Sequence, residues 1–267
     1  MLLDTHVHSH FSADSGESMA KAAEVAVRKG IGVICFTDHI DYDFPIPAHI
    51  FDFDAKDYFA EVSQVREQFA GKLKVLAGVE LGMQPHLSKR YKALLERFPF
   101  DFALGSQHLV DLHDPYFPDT FEGRKVEDVY RRYFEETLTN VKLFDGFDSL
   151  GHLDYITRYG ESEKPFPSYD KFAEVIDEIL RILVERGQAL EVNTAGYRKA
   201  LGQPNPSPKI LRRYRELGGE LVTIGADAHQ AEIVGTYCQE AAELLKSLGF
   251  KAIAYYEKHK PVMVDLM

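Results

Sequence analysis

The chain has 267 residues, 45% of them hydrophobic, with two cysteines and a formal charge of −11 at pH 7; that is enough for one barrel, no Pro/Gly/Ser-rich or charged linker divides it, and residues 1–267 read as a single domain. No apolar run reaches the roughly 20 residues of a membrane span, and the start Met1-Leu2-Leu3-Asp4 has neither a basic leader nor a cleavage site, so a cytoplasmic protein without a membrane partner is expected. The acidic balance argues against extended contact with nucleic acid but leaves room for a small anionic substrate, because clustered divalent ions would dominate the local field.

The apolar runs read as strands, and each ends in ionisable or amide residues. The first carries Leu3 into His6-Val7-His8, and a helix with apolar spacing of three and four follows over 19–28. Strand 31–36 runs into Thr37-Asp38-His39, helix 58–69 follows, and strand 73–79 runs into Glu80. After helix 91–98, strand 100–105 leads to Ser106-Gln107-His108, and after helix 126–144, strand 147–151 leads to His152-Leu153-Asp154. Helix 172–184 precedes strand 189–192 and Asn193, and helix 210–217 precedes strand 221–226 and Asp227-Ala228-His229. Several helices end in glycine, at Gly30, Gly71, Gly187 and Gly218. Strands alternating with helices imply a parallel sheet. Polar residues gathered at successive carboxyl ends imply a closed or nearly closed α/β barrel with its site on that rim.

Alternate residues of a strand share a face, so His6 and His8 can present two imidazoles to one ion. Five strand ends deliver histidine, and imidazoles with carboxylates suit zinc, iron or manganese. Cys35 and Cys238 read as separate buried thiols. His49, His86, His113 and His259 fall in loops, a helix start or the tail and read as spectators. Asp4, Asp38 and Asp154 each neighbour a candidate ligand; such carboxylates either orient an imidazole through its second nitrogen or cap the next helix.

The run His6-Val7-His8, the tip Thr37-Asp38-His39, Glu80, His108, the element Gly151-His152-Leu153-Asp154 and Asp227-Ala228-His229 resemble, in order and over nearly the whole chain, the polymerase-and-histidinol-phosphatase (PHP) superfamily. Within it, Glu191-Val192-Asn193-Thr194-Ala195-Gly196-Tyr197-Arg198-Lys199 is most similar to the histidinol-phosphatases of histidine biosynthesis. The resemblance implies a distorted seven-stranded (β/α)7 TIM-like barrel holding three divalent transition-metal ions. It implies His6, His8, Glu80 and Asp227 around one ion, Glu80 bridging to a second completed by His108 and His229, and a third ion on His39, His152 and a residue of the loop after the first strand. Asp14 matches that loop position, where some family members have a histidine; His10 is the alternative.

Such a centre makes a hydrolase intelligible, since the ions ionise a water near neutral pH and neutralise the phosphoryl oxygens. The expected function is hydrolysis of L-histidinol phosphate to L-histidinol and phosphate. The alternatives are another phosphoesterase of the superfamily, acting on a nucleotide, a phosphodiester or phosphotyrosine, and a non-catalytic metal-binding module. Arg158 and Arg198, just beyond strand ends, are the candidate phosphate-gripping and catalytic arginines. Asp227 is the candidate proton carrier where one of its oxygens is free, ligation being its first role. The loop 41–47, with Asp41 and Asp43, and the insert 111–124 are expected to form a lid receiving a cationic amine and an imidazole ring. The expected partner is thus a small phosphate monoester. Nothing in the pattern points to an oligomeric state.

Overall fold

The structure is a computed structural model that describes residues 1–46, 50–160 and 164–266. A nearly closed barrel of seven parallel strand positions runs through β1 (Leu2–Val7), β2 (Ile31–Phe36) with its continuation β3 (His39–Ile40), β4 (Lys74–Gly82), β5 (Phe102–Ser106), β6 (Ser149–Leu150), β7 (Ala189–Asn193) and β8 (Val222–Gly225). Helices α1 (Met19–Arg28), α2 (Ala55–Gln68), α3 (Ser88–Arg97), α4 (Val126–Leu143), α5 (Ser168–Arg186), α6 (Ala195–Arg198), α7 (Pro208–Glu216) and α8 (Cys238–Ser247) lie between or after the strands. Local chemistry sets several boundaries. Ser18 Oγ accepts from the Lys21 amide at 3.3 Å and Asp54 from those of Lys56 and Asp57 at 2.7 and 3.3 Å, satisfying donors that the first turns of α1 and α2 leave open. α5 stops at Gly187, whose φ of 64° suits a residue without Cβ.

The core lies between the strands and the helical layer, and tyrosines pin one to the other. Tyr58 of α2 donates to the carbonyls of Phe36 and Gly78 at 2.9 and 2.8 Å, Tyr91 of α3 to that of Gly82 at 2.7 Å, and Tyr214 of α7 to that of Gln188 at 3.1 Å. Each ring is buried, so its area contributes hydrophobic stabilisation while its hydroxyl stays paired. Inside the barrel, the Ser149 and Thr223 hydroxyls meet at 2.9 Å; β6 and β8 are not neighbours, so this contact crosses the interior. The seam between β1 and β8 is held at its carboxyl end, where the His8 amide donates to Ala228 O at 2.8 Å. Asp4 reinforces it by accepting from the amides of Ala226 and Gly235 at 2.8 and 2.7 Å.

Two features differ from the expected pattern. The second strand breaks at Thr37-Asp38, because Asp38 accepts from the Ser9 amide and the Ser9 and Ser12 hydroxyls, and β3 beyond the break pairs with β4. The chain also ends in an antiparallel hairpin, β9 (Ala252–Glu257) and β10 (Lys260–Asp265), which covers the amino-terminal end of the barrel. There the Phe102 and Tyr256 rings pack at 5.3 Å, and the His259 amide donates to Asp101 O at 2.9 Å. Cys35 and Cys238 are buried free thiols. Among the described residues, no helix is long and apolar enough to cross a membrane.

Candidate metal centre

Parallel strands place their carboxyl ends on one rim, and the polar tips converge there. His6 and His8 turn their Nε2 atoms toward each other at 3.0 Å; Glu80 Oε2 lies 3.1 and 3.4 Å from them and Asp227 Oδ1 3.8 and 3.7 Å. Ligand atoms of His6, His8 and Glu80, of His39, Glu80 and His108, and of His8, His39 and His229 each fall within 4.8 Å of one another.

Buried partners settle which nitrogen of three imidazoles is left to bind. The His6 Nδ1–H donates to Glu191 Oε1 at 2.6 Å, and the His108 Nδ1–H to Asp41 Oδ2 at 2.5 Å. The Ser12 hydroxyl donates to Asp38 at 2.8 Å, so its oxygen accepts from His8 Nδ1 at 3.0 Å. All three rings thereby keep an Nε2 lone pair for a ligand. Two of these contacts correct the sequence reading. The carboxylates that orient imidazoles directly are Glu191 and Asp41; Asp4 closes the barrel seam, Asp38 acts through Ser12, and Asp154 ties down Asn205 and Ser207. Glu191 was the residue missed, although strand alternation puts it on the same face as Asn193.

The grouping of ligands also differs from the expected one. His108 and His152 both meet Glu80 Oε1, at 3.1 and 3.0 Å, because β5 and β6 are adjacent. His229 instead lies 3.0 Å from Asp14, with His39 Nε2 3.8 Å from the same carboxylate. β1 lies between β2 and β8, so the loop after β1 falls between the tips that carry His39 and His229. That loop directs Asp14 to the centre, whereas His10 pairs with Glu61 at 3.3 Å and is largely exposed.

The donor set fits divalent transition-metal ions. It combines imidazoles and carboxylates, and His39 Nδ1 and His152 Nδ1 are buried without a hydrogen-bond partner among the described residues. The electrostatics agree. Burial pushes the His6 imidazole down, but Glu80, Glu191 and Asp227 outweigh it and raise it well above the usual range. Burial, followed by the neighbouring His229, His39 and His6 rings, holds His8 well below that range. Burial likewise works to raise Glu80, which His6, His39 and His108 nevertheless hold well below the carboxylate range. So many carboxylates in a dry pocket call for cations beside them.

Beside this cluster opens a cleft of roughly 600 Å³ lined by His39, Glu80, His108, His152, Asp227 and His229 together with Arg158, Arg198, Lys199 and aromatic residues of the segments after β3, β5 and β6. Arg158 is clamped, its Nε donating to Asn205 at 2.8 Å and its two terminal nitrogens to Asp227 and Asn193 at 3.1 and 2.8 Å. Arg198 donates to the carbonyls of Ala226 and Asp227 at 2.7 and 3.1 Å. Asp227 Oδ2 accepts from Arg158 and Asn193 while Oδ1 faces His6 and His8, so neither oxygen stands free in the way a proton carrier needs.

Of the two acids assigned to substrate, Asp41 lines the cleft with its carboxylate already engaged, and Asp43 lies away from it. Asp41 is buried; burial works to raise it, but His108 and His39 bring it down to about 2, and its oxygens are taken by His108 and the Gly82 amide. Asp43 is exposed and paired with His86 and Arg90 at 3.0 and 3.5 Å, away from the cleft lining. Of the spectator histidines, His86 pairs with Asp43 and His259 with Asp148, the backbone of His113 bridges to that of Val110, and Pro47 and His49 lie outside the described residues.

Residues 4–195 match the PHP domain family. A protein of Clostridium acetobutylicum described as a probable histidinol-phosphatase is 34% identical, over 97% of this chain and 98% of its own length. The histidinol-phosphatase of Lactococcus lactis is 33% identical over 97% and 95%. The crystal structure of the Lactococcus lactis histidinol phosphate phosphatase with zinc, L-histidinol and phosphate matches with a TM-score of 0.91 at 32% identity, covering 98% of both chains.

Proposed function

Because this chain belongs to the PHP domain family, we propose that it is a metal-dependent phosphomonoesterase, one barrel domain over residues 1–267, that hydrolyses L-histidinol phosphate to L-histidinol and inorganic phosphate. What supports this most is the nest of imidazoles and carboxylates opening onto a cleft that also carries two fixed arginines. Three divalent ions, of zinc, iron or manganese, would be held by His6, His8, Glu80 and Asp227, by Glu80, His108 and His152, and by Asp14, His39 and His229. When bound, such ions supply a water ionised near neutral pH and neutralise charge on the phosphoryl oxygens.

The chain's own residues do the rest. Arg198 and Arg158 hold the phosphoryl group with charge-assisted hydrogen bonds; the clamp of Asn193, Asn205 and Asp227 fixes the Arg158 guanidinium before substrate arrives. Lys199 adds a cation at the mouth of the cleft. Burial acts to raise Asp227, but His6, Arg158, His229 and His8 hold it well below the carboxylate range.

Steady-state kinetics of the zinc-loaded protein test the proposal, with L-histidinol phosphate set beside a nucleoside monophosphate, a phosphodiester and phosphotyrosine. The expected kcat/KM is at least about tenfold higher for L-histidinol phosphate. Equal or better turnover of any of the others overturns the substrate assignment.

A further inference from the structure

The Arg158 guanidinium offers only donors and the Asp154 carboxylate only acceptors, so the Asn205 side chain, which lies between them, is held in one orientation. Its Nδ2 donates to Asp154 Oδ1 at 2.6 Å, and its Oδ1 accepts from Arg158 Nε at 2.8 Å. Turned over, the amide would set N–H against N–H at one end and oxygen against oxygen at the other. Asp154 and Asn205 are each 1% exposed and stand outside the cleft lining, whereas Arg158 is part of it. Asp154 is held in turn from two other elements, Oδ2 accepting from the Ser207 amide at 3.0 Å and from the Ser168 hydroxyl at 3.3 Å. The Asn205 backbone pairs both ways with that of Asn193, at 2.7 and 2.9 Å. Its loop lies against α6, where a Cβ on Gly196 would come 2.2 Å from Gln203 O and 3.0 Å from Asn205 Oδ1. Arg158 uses Nε on Asn205 and one N–H of each terminal nitrogen on Asp227 and Asn193; among the described residues, the second N–H of each terminal nitrogen is left for a phosphoryl oxygen.

Resting on the proposed phosphatase activity, we infer that Asp154 is a positioning residue for phosphate recognition: through the Asn205 amide it fixes the Arg158 guanidinium that grips the phosphoryl group. Asn193 and Asp227 hold the terminal nitrogens and Asn205 holds Nε, so without the third contact the fork can swing about the other two. A guanidinium fixed beforehand loses little freedom when the phosphoryl group arrives.

The test is calorimetry of inorganic phosphate and of L-histidinol on the zinc-loaded wild type, Asp154→Asn, Asn205→Ala and the double variant Asp154→Asn with Asn205→Asp. An amide at position 154 offers one acceptor to two donors. The Ser207 donor is backbone and cannot turn, so the Asn205 side chain turns over and sets its N–H against Arg158 Nε. In the double variant the carboxylate at position 205 accepts from Arg158 Nε and from the amide at position 154, whose oxygen serves Ser207, and every contact is restored. Asp154→Asn and Asn205→Ala should each bind phosphate about tenfold more weakly, with L-histidinol within about twofold of wild type, and the double variant should return phosphate to within about threefold. Zinc content by elemental analysis should match wild type throughout. Phosphate affinity within about twofold of wild type in either single variant overturns the inference, as does a double variant no tighter than Asp154→Asn. Equal weakening of both ligands, or zinc lost along with phosphate, also overturns it, since a general loosening of the rim around His152 gives that result. Should Asp154→Asn fail to fold, Asn205→Ala decides alone, because it breaks the same chain and leaves the carboxylate in place. A wild type that binds phosphate without turning over L-histidinol phosphate overturns the substrate assignment and leaves this inference standing; one that binds no phosphate overturns both.

Discussion

Glu191 accepts from His6 Nδ1 at 2.6 Å through one oxygen and from the His152 amide at 2.8 Å through the other, so one buried carboxylate sets both a ring tautomer and a strand tip. Glutamine has only one acceptor oxygen, and Glu191→Gln would aim an N–H at one of these two donors. Zinc affinity, measured by competition with a chelating dye, should fall about ten- to a hundredfold in that variant. Affinity within about twofold of wild type would show that the His6 tautomer is set elsewhere. Gly225 is the counterpart on the neighbouring strand. A Cβ there would lie 2.2 Å from His6 Cβ and 2.6 Å from Glu191 Oε1, in a spot with no room to relax. Gly225→Ala should therefore cost about 2 kcal/mol, several degrees in Tm, and lower the zinc content; a Tm matching that of wild type would mean that the barrel interior yields more easily than this packing implies.

At the scale of elements, the central strands and the long helices were legible because periodicity and caps are local signals. The ends were less so. β6 shrinks to Ser149–Leu150 from the expected 147–151, and β3 appears where the Asp38 hydrogen bonds bend the second strand. The β9–β10 hairpin escaped notice because its strand character depends on the barrel end that it covers. Its turn is tied down by His259, whose Nδ1 lies 2.8 Å from Asp148. That hydrogen bond, with Asp148 charge behind it, raises the imidazole above its ordinary range. A raised folded value means that the contribution is complete below an unfolded pKa of about 6.5 and lost as pH rises through the folded value. His259→Asn, which tolerates the φ of 61° at this position, should lower stability in urea more at pH 6 than at pH 9 and leave turnover as in wild type. A pH-independent loss would place the hairpin's anchorage in its backbone contacts alone.

For the molecule as a whole, the site and the scaffold are separable. The tyrosine pins and the aromatic layer lie between strands and helices, while the donor cluster sits on the rim with internal pairings such as His229–Asp14 at 3.0 Å and His6–Glu80 at 3.1 Å. Reconstituted protein should carry close to three transition-metal ions per chain by elemental analysis. Chelation should abolish turnover yet preserve the far-UV circular dichroism spectrum. One ion or none after reconstitution would sink the trinuclear arrangement, and unfolding on chelation would show that the ions also hold the barrel.

The sequence by itself determined the repeating strand–helix order, the rim on which the polar tips lie, and the residue types gathered there, because alternation, spacing and caps act over a few residues. The tertiary structure decided which tips are neighbours. It put His152 beside His108 and His229 beside Asp14, since strand order in the sheet, unlike order along the chain, sets those distances. It also drew Asp41 into the interior as the partner of His108, left Asp43 on the surface, and brought Glu191 to His6 across 185 positions. Neither fate can be read locally: both acids follow the second strand, and only the packing of Gly82 and His108 against Asp41 distinguishes them.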